Sequence, residues 1–219
     1  MPRFSRLLPT GALRPALAGA VLALGAVAAL GTAMAAAQPA PGVRFQIVDE
    51  RGLPVRDAVI EVHPQTMPTG PIRFGWKMGM AQKSRQFLPG TLVVAKGSTV
   101  AFPNLDAVRH SIYSFSKPAR FEIELYGQDQ TRTQNFPLTG SVKLGCNIHD
   151  DMRGYIRVTD TPFAGKTDAQ GQLTLQGMAS GTARVTVWHP QLRSPGNEAQ
   201  STLAIAGGMQ AHKIRVALR

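Results

Sequence analysis

From residue 43 to the last residue the chain is a succession of short alternating or β-branched runs cut off by Gly, Pro, Asn or Asp. They read "VRFQIVD", "DAVIEVH", "TLVVAKGSTVAFPN", "HSIYSFS", "RFEIELY", "SVKLGC", "GYIRVTD", "GQLTLQG", "TARVTVWHP" and "HKIRVALR". Alternation with period two places every other side chain on one face of a strand, and the punctuating residues turn the chain. No stretch sustains a capped helical period. Many short strands at close spacing predict an all-β chain built as a β-sandwich or Greek-key barrel.

The exception is the start. Arg3, Arg6 and Arg14 occur without an acid, and "PALAGAVLALGAVAALGTAMAAA" runs to Ala37. A basic start, an apolar core and an A-x-A end at Ala33 and Ala35 predict a cleaved signal peptide over residues 1–37, with "QPAPG" (38–42) as a linker. The chain is then periplasmic, with no stable membrane insertion after cleavage. An uncleaved anchor is the alternative, because the apolar run approaches spanning length.

About 180 residues remain, enough for one large or two small cores. The formal charge of +11 falls by three when the leader's arginines leave, and the rest stays basic. That surface suits acidic partners, but its basic residues are scattered and predict no nucleic-acid binding. One cysteine, Cys146, makes no internal disulfide in an oxidising compartment. It is buried and inert, paired with another chain, or a ligand.

"LGCNIHDDMRGYIRV" (144–158) decides how Cys146 is read. "SVKLGC" and "MRGYIRV" are strands, so the connection between them presents Cys146, His149 and Met152 together. A type 1 copper centre takes one thiolate, two imidazoles and a weak thioether. The second imidazole is His110, which opens "HSIYSFS" after an N-x-D turn. Taken singly, each residue has a structural reading: a buried thiol, a core methionine, a strand histidine. Zinc is the rival metal, but it favours more thiolates or carboxylates and rarely takes methionine. His63, His189 and His212 read as structural, and Trp76, Met78 and Met80 as strand packing.

Residues 71–159 resemble a cupredoxin of the plastocyanin and amicyanin type. The resemblance lies in C-x-x-H-x-x-M within "GCNIHDDM", the closing strand "MRGYIRV", and "FLPGTLVVAKGSTVAFPNLDAVRH" upstream. It implies a Greek-key cupredoxin sandwich or barrel holding one type 1 copper. His110 and His149 would be the equatorial imidazoles, Cys146 the thiolate and Met152 the axial ligand. Ser111 stands where some relatives place an asparagine that braces the ligand loop.

Residues 43–64, with a D-x-x-G-x-P-V turn, and residues 160–219, with "TDAQGQLTL", resemble the two parts of a small carboxypeptidase regulatory-like, prealbumin-like β-sandwich. The cupredoxin segment is then an insertion; a simple tandem is the alternative. The combination is similar to exported proteins labelled methylamine-utilisation proteins.

Three functions follow. The first is one-electron transfer with a c-type cytochrome or an exported dehydrogenase as partner; the chain has no C-x-x-C-H haem motif of its own. The second is copper handling in the same compartment. The third is a structural interaction module without redox activity. Catalysis is not expected, because Cys146 lies between Gly145 and Asn147 rather than two histidines, and no nucleophile-elbow, phosphate-loop or zinc-protease motif occurs.

Overall fold

The computed structural model describes residues 41–219; the signal peptide read over 1–37 lies outside the described residues. The chain enters through β1 (Gly42–Val48) and β2 (Val59–Pro64). In β1, Val43, Phe45 and Ile47 are fully buried while Arg44 faces solvent, the period of two expected of a strand with one face on a core. Nine strands follow: β3 (Ala81–Lys83), β4 (Gln86–Leu88), β5 (Thr91–Ala95), β6 (Ser98–Pro103), β7 (His110–Ser116), β8 (Ala119–Tyr126), β9 (Thr131–Phe136), β10 (Gly140–Cys146) and β11 (His149–Thr159). The chain closes with β12 (Ala164–Lys166), β13 (Gln172–Gln176), β14 (Gly181–Trp188), β15 (Glu198–Ile205) and β16 (Met209–Arg215). One 3-10 turn, Pro195–Asn197, is the only helical element among the described residues. The described residues are all-β.

The central strands form one Greek-key sandwich. Its first sheet is ordered β5-β11-β10-β7-β8, with β5 parallel to β11. Its other face joins the β3-β4 hairpin to the β6-β9 pair through bridges Gly79–Ala101 and Gln82–Asn104. Phe87, Phe102, Ile112, Phe136, Leu144 and Ile156 fill the space between the faces. Strand β9 escapes the sequence reading because "TRTQNF" buries only Phe136; it is held by pairing along the whole of β6 rather than by an apolar face.

The strands at the two ends of the chain make a second, outer sandwich, ordered β13-β1-β16 and β12-β2-β14-β15. Its core includes Phe45, Ile60, Val62, Val185 and Val187. Two turns explain its sequence signature. Asp49 accepts the Arg51 and Leu53 amides on one carboxylate oxygen, and Asp168 does the same for Gln170 and Gln172; both are short polar side chains replacing a backbone acceptor. Buried Thr167 donates to the Val55 carbonyl and accepts the Ala58 amide, tying the second part to the first.

The sandwiches meet through a small apolar cluster, Val59, Val93, Ala164 and Trp188. Beside it Arg157 on β11 reaches Glu61 on β2 and Glu198 on β15, at 2.5 Å each, and also donates to Ser141 Oγ at 2.8 Å.

Candidate metal centre

The metal-facing end of the central sandwich is built by β7, β10 and β11. Strand β10 ends at Cys146 and β11 begins at His149, and these two residues pair across a turn of only Asn147 and Ile148. The register then slips, Gly145 facing Arg153, so Asp150, Asp151 and Met152 form a bulge on β11. The turn is tighter than the sequence suggests: the second strand begins at His149, three residues before Met152, and Met152 lies in its bulge. The bulge turns it inward, where it is fully buried in the same apolar cluster as Cys146, while Asp150 and Asp151 stay exposed. Bulges re-aim side chains in this way.

Close packing explains Gly145. A Cβ there would lie 2.5 Å from the Tyr113 ring, so glycine leaves the space in which that ring lies across β10.

Three donor atoms converge. Cys146 Sγ lies 3.8 Å from His110 Nδ1 and 3.7 Å from His149 Nδ1, and the two nitrogens are 3.2 Å apart. His110 and Cys146 are buried and His149 is half-buried. Two features show that the triangle suits a metal ion. A circle through the three atoms has a radius of about 2.1 Å, close to metal–imidazole bonds of roughly 2.0–2.1 Å and metal–thiolate bonds of about 2.3 Å. In addition, the Nε2–H of His110 donates to Asp106 Oδ2 at 2.7 Å, so in the neutral ring the lone pair of Nδ1 faces the other imidazole nitrogen. At 3.2 Å the two nitrogens can share either a proton or a cation.

The surroundings hold the triangle in place. Ser111 Oγ accepts the Asn147 amide at 3.0 Å and lies 3.8 Å from Cys146 Sγ, so a hydroxyl braces the ligand turn. Asn147 Nδ2 donates to Glu122 Oε1, tying the turn to β8. Burial, followed by the fields of His110 and Arg85, holds the His149 imidazole below its ordinary value and outweighs Asp106.

Asp106 is the participant that the sequence reading leaves out. It ends the N-x-D turn, where its amide donates to Asn104 Oδ1, and buried Asn104 in turn donates to the Val108 and Tyr126 carbonyls. Burial pushes the Asp106 carboxyl up, but hydrogen bonds from the Arg85 amide, His110 and the Ser84 amide together pull it below the usual carboxylate range. Its spacing of four from His110 was the available signal. The other expected bystanders stay apart from the triangle. His63 pairs with Asp160, Met80 is core, and the Trp76 indole donates to the Val93 carbonyl.

Among solved structures the chain is similar to cupredoxins. A reduced variant of amicyanin is 20% identical, with a TM-score of 0.36, over 40% of this chain and 86% of that protein. A purple cupredoxin from Nitrosopumilus maritimus is 20% identical, with a TM-score of 0.34, over 37% and 98%. A copper-containing nitrite reductase from Thermus scotoductus is 23% identical, with a TM-score of 0.36, over 44% of this chain but only 25% of that one. No protein-family model matches the chain, and no curated protein is similar to it. The functional reading therefore rests on the donor triangle.

Proposed function

We propose that the chain is an exported, periplasmic cupredoxin that holds one type 1 copper and carries single electrons. The observation that supports this reading is the triangle of His110 Nδ1, Cys146 Sγ and His149 Nδ1, with the thioether of Met152 buried in the same cluster. A thiolate, two imidazoles and a weak thioether are the donor set of blue copper, which when bound supplies a one-electron couple. His110, Cys146 and His149 would be the strong ligands and Met152 the weak one.

The protein's own contribution is rigidity and exclusion of water. Buried His110, Cys146 and Met152 keep solvent from the donor atoms, and Ser111 and Asn104 fix the two turns that carry the ligands. Rigid donors change little between oxidation states, which favours electron transfer over chemistry on a bound substrate. The half-buried His149 is the exit toward a partner such as a c-type cytochrome or an exported dehydrogenase, for which a basic surface favours an acidic docking face. The outer sandwich, carboxypeptidase regulatory-like by its turns, supports the copper domain rather than adding catalysis.

The test is a Cu(II) titration of the protein without residues 1–37, followed by visible absorption and electron paramagnetic resonance, beside Cys146→Ser. An intense blue band with narrow hyperfine splitting, absent from the variant, is the expected outcome. Copper signals indifferent to the substitution would overturn the electron-transfer reading and leave copper carriage; a protein taking up no copper would leave a structural module.

A further inference from the structure

The β3-β4 hairpin turns through Ser84 and Arg85, both in the left-handed region at φ 52° and 55°. Asn-Gly is the usual pair for such a turn, and a serine and an arginine held there carry backbone strain that must be maintained by their surroundings. What holds them is Asp106. The Ser84 amide donates to Oδ1 at 2.5 Å and the Arg85 amide to Oδ2 at 2.9 Å. The same Oδ2 accepts the Nε2–H of His110 at 2.7 Å.

This carboxylate is the junction between the hairpin, the N-x-D turn and a buried imidazole. All three of its partners are donors, so it must be an acceptor on both oxygens. That requirement selects the tautomer of His110: with Nε2–H committed to Asp106, the neutral ring has its unprotonated Nδ1 aimed at Cys146 and His149. The hairpin amides also fix the carboxylate's rotation, and through it the ring plane. A full negative charge against one edge of the imidazole makes the opposite nitrogen more basic, the effect that carboxylate partners have on ligating histidines.

We propose that Asp106 is the positioning residue of the metal centre, holding His110 in the Nε2–H tautomer and making its Nδ1 a stronger donor to the more highly charged ion. The second half rests on the copper reading; the first does not. A more basic ligand favours Cu(II) over Cu(I), so Asp106 sets the reduction potential low. Loss of such a partner costs about 10- to 100-fold in metal affinity. A tenfold loss confined to Cu(II) corresponds to a rise of about 59 mV in a one-electron potential.

The experiment uses Asp106→Asn, which keeps the shape, and Asp106→Ala, each compared with the unmodified protein. In the metal-free state, nitrogen-15 correlation spectra of the His110 ring report the tautomer. The unmodified protein is expected to show Nε2–H alone, and both variants a mixture, because an amide offers one acceptor for three donors. Cu(II) affinity and midpoint potential are then measured, and Asp106→Asn is expected to bind Cu(II) at least tenfold more weakly at a higher potential. If the variant fold is lost, Asp106→Glu, which keeps the charge but displaces the carboxylate from the two hairpin amides, is expected to shift the tautomer in the same direction by a smaller amount. A tautomer unchanged in Asp106→Ala would overturn the positioning role. An unchanged potential in Asp106→Asn would overturn the charge effect. Absence of copper binding in the unmodified protein, with the tautomer still dependent on Asp106, would overturn the copper reading and leave the positioning role standing.

Discussion

Cys146, His110 and Ser111 show how few atoms define the centre. Ser111 follows His110 in sequence and meets Cys146 across the sheet: its hydroxyl accepts the Asn147 amide and lies against Cys146 Sγ. Ser111→Ala removes this acceptor and leaves the Asn147 N–H without a partner. The expected loss of stability is about 1 kcal/mol, typical of one hydrogen bond, checked by urea unfolding. The Asn147 amide should also exchange faster with solvent by hydrogen-exchange NMR; protection equal to that of the unmodified protein would show that the brace is not Ser111. The resemblance pointed to Ser111, but which groups its hydroxyl meets could not be read from the chain alone, because a separation of thirty-five positions from Cys146 is bridged only by sheet register.

At the scale of elements, the β3-β4 hairpin is the least obvious part of the site and the most informative. Its strands are three residues each, too short to announce themselves by alternation, and its turn contains neither glycine nor asparagine. The strain at Ser84 and Arg85 should therefore be removable. The double substitution S84N/R85G accepts positive φ without the side-chain penalty, so it is expected to raise stability by about 1 kcal/mol. Its backbone amides still reach Asp106, and the His110 tautomer should not move. Urea midpoints and the His110 spectrum check both parts; a lower midpoint would mean that the Ser84 and Arg85 side chains contribute more than their amides. Strand β9 gives the opposite lesson, since its polar pattern hides a strand that pairing with β6 stabilises.

Across the whole molecule, the buried junction at Arg157 joins the two sandwiches. Burial disfavours its charge, but hydrogen bonds and attraction from Glu61 and Glu198 raise its pKa above that of an ordinary arginine. Removing one partner of a buried ion pair leaves a charge without compensation, at a cost of about 3–5 kcal/mol. Arg157→Met should lower stability by that order, and with Val59, Val93, Ala164 and Trp188 left as the remaining apolar joint, the two cores should unfold in separate steps. Adding Glu61→Leu should restore much of the loss. Circular dichroism and tryptophan fluorescence followed together in urea test this; coincident, unshifted transitions would show that the apolar joint alone couples the sandwiches.

Alternation and turn residues were enough to determine an all-β chain, because strand period and turn chemistry are local properties. Residue type was enough to single out His110, Cys146 and His149, whose donor atoms the fold brings together, since a thiol and two imidazoles are donors whose chemistry travels with the side chain. Tertiary structure decided the rest. It closed the Cys146–His149 connection into a two-residue turn, put Met152 on a bulge, and chose which nitrogen of His110 faces the thiol. It also placed Asp106 between a strained hairpin and His110, and gave β1 and β2 to the same sheets as β12 to β16. These outcomes depend on register and packing among strands far apart in the chain, where a shift of one residue turns every side chain to the other face.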